Sequence, residues 1–431
     1  MYDYIIIDPA STEFNRGSFC YLPYILYSAL TKSGAKVAIY ENFTAADIDC
    51  LPKASRYLIS IWSYPQIDTA LVIDRFLEGN KSFFGYFPLI DHLKLDEFIF
   101  PDHMILSGIE NYPLYYSDFN FILLSDCDMH LKKYSGQVYP LFTSYGCPNG
   151  CSFCPSTVNC EKRRIIIPLE KVEKIIYYCN GIGIHNIHFT DEDFFFNIDR
   201  AHSILKIFEK LDTDFQLISL GSAVKVRSYI KKYGENTLAA SGMKLIEVGL
   251  ETADSDLATS MHKPGHKSCT WLAENAKTPI FWLTMTFFPG ETIHSLNLTG
   301  RFLKKYGYKQ DELYGRIRTN STVGGLGQFF QFYHGTPFYS DKDFLGMSLS
   351  DCPIRLLPSF VPYSFLGSKI ESIGDASDAI DWFKLYNLHP EMIKLTKGNC
   401  IDEYVNKYKG YMRVADILTY LAICARLGVI I

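Results

Sequence analysis

Short apolar runs alternate twice with longer amphipathic stretches along this 431-residue chain, and that alternation narrows the fold more than any other feature. Residues 3–8, DYIIID, have the length and character of a buried strand. A polar, glycine-containing loop (STEFNRGS) and an apolar helical stretch near Leu22–Leu30 follow. Ser33-Gly34 ends that helix, and KVAIY (36–40) is a second strand. Strand, helix, strand over about forty residues is a βαβ unit, with a right-handed connection and a parallel sheet. RYLISIW (56–62), a helix near 66–78 and KSFFGYF (81–87) extend the series. Residues 1–125 thus read as a doubly wound, Rossmann-like α/β domain whose ligand site, if any, lies beyond the carboxyl ends of its strands.

A second series starts near residue 137. QVYPLFTSYG is strand-like, 168–182 helical, 185–194 begins as a strand, 200–211 is helical and 214–221 a strand. Residues 237–251 hold a helix end and another strand, 280–290 a further one, and the last candidates fall near 315–335. This spacing predicts a partial (β/α)6 barrel of the TIM type over 137–345. Residues 346–431 mix loops with helical segments such as 376–387 and 411–427, a small, mostly helical C-terminal region.

At 48% hydrophobic and 21% charged residues, the chain has ample apolar surface to offset chain entropy, which excludes a disordered class. A net charge of −5 gives no overall electrostatic footprint for nucleic acid or an anionic membrane. The opening apolar run stops at Asp8-Pro9 without a basic segment before it, and no charge-free apolar stretch of membrane-spanning length occurs. The expectation is a soluble, cytoplasmic protein. Twelve cysteines without a secretory signal do not suggest a disulfide framework, and nine of them are scattered as small hydrophobes would be.

The other three stand in C-x3-C-x2-C spacing: Cys147, Cys151 and Cys154, directly after a predicted strand. Thiolates on one short loop can converge on a soft metal centre, and Gly146 and Gly150 ease the turning this requires. A structural zinc site needs four ligands, and so does an iron–sulfur cluster held by cysteine alone. Three thiolates leave one iron of a [4Fe–4S] cluster open; the competing readings are zinc with Cys160 or a histidine as fourth ligand, and three unligated thiols.

This loop resembles the signature of the radical S-adenosylmethionine (SAM) superfamily, in which an aromatic residue, here Phe153, precedes the last cysteine. The resemblance implies that Cys147, Cys151 and Cys154 hold a [4Fe–4S] cluster whose open iron is chelated by SAM. Electron transfer would then cleave SAM to methionine and a 5′-deoxyadenosyl radical that abstracts hydrogen from substrate. Phe153 would lie near the adenine, or simply pack the loop. Further elements resemble the family in order: F-T-D-E-D-F (189–194), E-V-G-L-E-T (247–252) followed by M-H-K-P-G (261–265), F-F-P-G-E-T (287–292) and H-G-T-P-F-Y (334–339).

Acidic residues at the carboxyl ends of barrel strands face the active-site mouth. Asp191 and Glu192 are therefore candidates to contact SAM or substrate, the alternative being a solvated turn capping the next helix. Side-chain alternation would place Asp191 and Asp193 on one face and Glu192 on the other, unless the strand ends by Thr190. Glu251 is a candidate for the ribose hydroxyls or the ammonium of SAM, against a salt bridge or strand-end cap. Glu247 would share its face. Ser219, within LISLGS (217–222), weakly matches a polar SAM-binding position and would share a strand face with Gly221; the other reading is a hydroxyl satisfied inside the barrel wall. Pro289-Gly290-Glu291-Thr292 reads as a turn into a helix, and Arg316 and Arg318 as partners for a carboxylate or as surface charges.

The α/β domain before such a barrel resembles the cobalamin-binding, class B branch, in its Pro after the first strand and in Leu26, Ala29 and Leu30 ahead of Gly34. No Asp-x-His-x-x-Gly loop is present, since Ala10 stands two residues after Asp8, so a lower-axial histidine is not expected. The resemblance implies cobalamin-dependent methyl transfer as the leading activity. A radical rearrangement, dehydrogenation or cyclisation with a degenerate amino-terminal domain is the alternative. It also implies a flavodoxin- or ferredoxin-class electron donor and an unidentified small-molecule or peptide substrate.

Overall fold

The computed structural model describes residues 1–10, 33–61, 66–85, 138–306 apart from short gaps, 328–329, and isolated positions including 23, 26, 27, 30, 31, 336 and 337. The helical segments expected at 376–387 and 411–427 lie outside these residues.

The first sheet contains β1 (Tyr2–Pro9), β2 (Val37–Phe43), β3 (Ala54–Ile61) and β4 (Lys81–Gly85). All its pairings are parallel, in the order β2-β1-β3-β4. Alternation along β1 sends Ile5 and Ile7 to one face, where Ile59, Ile61 and helix α1 (Ile67–Phe76) bury Ile67, Ala70 and Ile73. Ile6 faces the other way and clusters with Leu58, Phe84, Leu26 and Leu30. The apolar triplet Ile5-Ile6-Ile7 is fully buried because both faces of a parallel sheet are covered.

The second sheet has six parallel strands in the order β12-β11-β10-β9-β8-β5. They are β5 (Tyr139–Leu141), β8 (Asn186–Phe189), β9 (Gln216–Gly221), β10 (Met243–Glu251), β11 (Ile280–Thr286) and β12 (Gln328–Phe329). Helices α2 (Leu169–Gly181), α3 (Ile198–Leu211), α4 (Ala223–Tyr233), α5 (His266–Asn275) and α6 (Ile293–Tyr306) intervene, as in a partial barrel.

The outer face of this sheet presents Ile187, Phe189, Leu217, Ile246, Val248 and Trp282 to the helices. Fully burying such side chains contributes about 1.5–3 kcal/mol each. The inner face carries a separate small cluster of Ile218, Leu245 and Phe281, with Leu283 packed against it. Among the described residues, no helix is long and apolar enough to cross a membrane.

Two departures from the sequence expectations matter for the site. QVYPLFTSYG is not one strand: the chain leaves the sheet after Leu141, and Ser144–Tyr145 (β6) pairs antiparallel with Ile165–Ile166 (β7). That ribbon closes the cysteine loop at its base. Helix α4 carries only Ala223, Val226 and Tyr229 as buried residues among several lysines and arginines, a stripe too thin to stand out in the sequence.

Candidate active site

The cysteine loop sits beside the carboxyl ends of β5 and β8. Its stem is held by the β6–β7 pairing and by Ile167 N–H donating to Thr143 O at 3.0 Å. Gly146 and Gly150 adopt left-handed φ values of 94° and 69°, which a side chain would resist. Cys151 is buried, while Cys147 and Cys154 are partly exposed, and all three are free thiols. Burial pushes the Cys147 thiol up and takes Cys151 to about 11, and the thiols oppose one another's ionisation. Lys263 acts in the other direction on Cys151.

Among the described residues, no group of three or more His, Cys, Asp or Glu side chains is gathered so as to hold a metal ion. The donor set nevertheless fits an iron–sulfur cluster. It consists of three soft thiols on one loop, and a bound metal would favour the thiolate forms of Cys147 and Cys151 that burial opposes.

The acidic turn after β8 is what fastens this loop. The strand ends at Phe189, so alternation does not apply to the acids that follow. Asp191, fully buried, accepts from Thr143 N–H (2.8 Å), Thr143 Oγ1 (2.8 Å) and Ser144 Oγ, with Arg164 at 3.9 Å. Glu192 Oε2 accepts from Gly146 N–H at 2.9 Å, immediately before Cys147. Asp193 accepts from Ser222 N–H (3.2 Å) and Ser222 Oγ (2.6 Å) at the start of α4. Burial raises all three carboxyls, Glu192 to about 7. Phe194 and Phe195 anchor the turn, Phe194 stacking on Phe189 at 4.2 Å and Phe195 meeting Tyr229 edge-on.

Protein donors thus occupy the carboxylate of Asp191, and it positions the loop. Glu192 holds the loop too, through one oxygen. The solvated-turn alternative fails for the same reason, since Asp191 and Asp193 are at most 1% exposed.

Ser219 is fully buried on the sheet face shared with Phe189 and Ile246, turned toward the helices, and its hydroxyl points at Met243 Sδ at 3.7 Å. Gly221 shares that face as expected, but a Cβ there would lie 2.7 Å from Val226 and 2.9 Å from Phe195, so its approach is to helix packing.

Glu251 does face the inner side of the barrel. It sits at a register shift after Gly249 with a left-handed φ of 59°, and its Oε1 lies 2.5 Å from where a Cβ on the inner-face Gly249 would stand and 3.0 Å from Lys263 Nζ. That oxygen is engaged in a salt bridge with Lys263. Burial works against the Lys263 charge, but Glu251 and then Cys151 outweigh it and hold its pKa up. Glu247 shares the inner face, paired with His188 at 3.2 Å. Thr252 instead ties the strand end to α6: its hydroxyl lies 3.2 Å from that of Thr299. Phe153 packs edge-on against the buried Phe288, ring centroids 6.2 Å apart.

Sequence reasoning missed Arg164, His188, Arg200 and Ser152. Arg164 donates to Ser144 Oγ (2.6 Å) and Asp193 O (2.5 Å) and lies 4.6 Å from the Phe196 ring centre; Arg200 donates to Thr143 O (3.3 Å) and Ile167 O. Nothing local distinguishes Arg164 from Lys162 and Arg163 beside it. Residues 289–292, Arg316, Arg318 and most of 334–339 lie outside the described residues, although Phe288 and Thr336 are described and buried.

With this geometry in place, comparison with known proteins is decisive for the barrel. Residues 141–303 match the radical SAM superfamily. The chain carries a radical SAM catalytic domain. Bacteriochlorophyllide d C-12(1)-methyltransferase of Chlorobaculum tepidum is 28% identical over 158 residues, 35% of this chain. That match spans only 32% of the relative's own length. The structure of TsrM, a radical SAM methyltransferase from Kitasatospora setae with cobalamin and a [4Fe–4S] cluster bound, is similar at a TM-score of 0.55 and 14% identity, over 71% of this chain and 74% of that one. OxsB, a cobalamin-dependent SAM radical enzyme with aqua-cobalamin and SAM bound, is similar at a TM-score of 0.60 and 13% identity, over 99% and 80%. At these identities the likeness is one of fold.

Proposed function

We propose that this protein reductively cleaves SAM at a [4Fe–4S] cluster held by Cys147, Cys151 and Cys154, and uses the resulting radical for cobalamin-dependent methyl transfer. The observation that carries the reading is a three-thiol loop clamped by Asp191 and Glu192 beside the carboxyl ends of parallel barrel strands, where barrel enzymes place their chemistry. When bound, the cluster supplies the electron that breaks SAM, and cobalamin supplies the methyl carrier.

The chain's own residues orient and enclose. The acidic turn fixes the loop, the inner-face cluster of Ile218, Leu245 and Phe281 excludes water, and Glu251 presents a carboxylate for the SAM ammonium or ribose. Phe153 is assigned to the adenine, and its bracing by Phe288 supports that role.

For cobalamin, the support lies in the amino-terminal sheet. Its order β2-β1-β3-β4 puts a topological switch point between β1 and β3, the usual ligand crevice of a doubly wound fold. At the carboxyl ends of those strands Asp8 accepts from Ser60 Oγ (2.5 Å) and Gln66 Nε2 (3.0 Å), a small polar cluster. Those groups fit hydrogen bonding to a polar ligand without supplying an axial histidine.

The test is anaerobic reconstitution of the full chain with iron, sulfide and hydroxocobalamin. About four irons and four sulfides per chain are expected, with an EPR change on adding SAM and 5′-deoxyadenosine on adding SAM and dithionite. A retained cob(II)alamin signal carries the methyl-transfer part. Zinc in place of iron, or no cleavage of SAM, refutes the reading as a whole. An active chain that retains no cobalamin refutes the methyl-transfer part alone.

A further inference from the structure

Lys263 is a partly buried cation outside the expected ligand set, and three observations place it against the cysteine loop. Met261 O accepts both the backbone N–H of Ser152 (3.2 Å) and its hydroxyl (3.0 Å), which stitches the segment carrying Lys263 to the loop between Cys151 and Cys154. The Lys263 and Glu251 side chains, 3.0 Å apart, are only 18% and 12% exposed. A Cβ on Gly249 would stand 2.5 Å from Lys263 Nζ and 2.5 Å from Glu251 Oε1, so the pair is pressed into the inner face of β10 where only glycine leaves room.

We infer that Lys263 is the fixed positive charge of the cluster pocket, divided between Glu251 and the thiolates, and that it sets how readily the cluster accepts its electron. This rests on the reading that the three cysteines hold a [4Fe–4S] centre. Reduction takes one electron from an external low-potential donor, breaks no bond, and adds one negative charge to a centre already ringed by thiolates. A neighbouring cation stabilises the reduced form more than the oxidised one, and a neighbouring carboxylate does the reverse. Removing Lys263 therefore makes the cluster harder to reduce, and removing the charge of Glu251 makes it easier. At an effective dielectric of about 20, one unit charge about 10 Å away changes the reduced-to-oxidised ratio by roughly tenfold or more, which for a one-electron couple is about 59 mV. A salt bridge that served only to brace the strand end would leave that ratio unchanged.

The experiment is a dithionite titration of the reconstituted full chain with redox mediators and without SAM, followed through the EPR signal of the reduced cluster. Lys263→Gln, Lys263→Arg and Glu251→Gln are compared with the wild type. At the wild-type midpoint, Lys263→Gln is expected to lower the reduced-to-oxidised ratio about tenfold, Lys263→Arg to stay within about twofold, and Glu251→Gln to raise it at least about threefold. A ratio within about twofold of wild type for Lys263→Gln, or shifts of the same sign for Lys263→Gln and Glu251→Gln, overturns the inference. If Lys263→Gln fails to retain the cluster, Glu251→Gln decides: no rise overturns it. A wild-type chain that assembles no [4Fe–4S] centre gives no signal to titrate, and brings down the underlying reading as well.

Discussion

Replacing Glu192 by Gln removes a charge from beneath the cysteine loop while keeping an oxygen for Gly146 N–H, which donates to it at 2.9 Å. Burial is the main cause that lifts this carboxyl from 4.5 to about 7; Asp191 adds to the rise, and Gly146 N–H and Arg164 work against it. The unfolded chain ionises Glu192 near 4.5 and the native chain near 7. Between those values the native state binds the extra proton, so this group's contribution to stability falls as pH rises and is flat above about 7. A gap of about 2.5 pH at about 1.36 kcal/mol each sets a ceiling of about 3 kcal/mol. Sharing of protons with Asp191 and Asp193 leaves about 1–3 kcal/mol to Glu192 itself. Urea unfolding of the metal-free chain at pH 5 and pH 8, followed by tryptophan fluorescence, measures it. Between the two pH values, Glu192→Gln should gain that much stability relative to wild type. A stability difference that does not change with pH, or that changes in the wild type's favour, refutes the burial argument.

Cys147→Ala, Cys151→Ala and Cys154→Ala should each lose the reconstituted cluster and the cleavage of SAM, read by iron content and 5′-deoxyadenosine; unchanged cleavage in any one removes that residue from the ligand set. Gly249→Ala drives a methyl to within 2.5 Å of both charged atoms of the Glu251–Lys263 pair. It should cost about 1–3 kcal/mol in urea unfolding and weaken SAM binding; full stability and affinity would show that the pair swings away freely. Ser219→Ala should leave SAM affinity unaltered and shift stability by less than about 1 kcal/mol, because among the described residues its hydroxyl meets the weak acceptor Met243 Sδ. A marked loss of SAM affinity would return Ser219 to the site.

The strands were legible because parallel sheets covered on both faces need continuous apolar runs, and IIIDPA, RYLISIW and IFWLTMT announce them without help from alternation. The cysteine loop was legible because three thiols in eight residues leave few other readings. What the sequence hid is register. Ser219 and Ile218 are neighbours in LISLG, yet one faces helices and the other the barrel interior, and a shift of one position exchanges them. The acids at 191–193 were placed correctly at a strand end, but their partners Thr143, Gly146 and Ser222 are far away in sequence and carry no mark of their own. His188 was missed for the same reason. A histidine in a strand reads as surface or core until pairing across two strands brings it to Glu247.

The acids near the mouth are held in different ways. Asp191, Glu192 and Asp193 each accept hydrogen bonds from a different part of the chain, so neutralising one loosens a specific join. Glu251 differs. Its described partner is the side chain of Lys263, and it sits at a left-handed φ of 59° where a side chain costs about 1–3 kcal/mol. A glycine would relieve that cost and still permit the register shift beside Gly249. A strained glutamate at this bulge is therefore explained by its carboxylate. That group lies over the inner-face Gly249 and against Lys263, and so joins the strand end to the segment stitched to the cysteine loop.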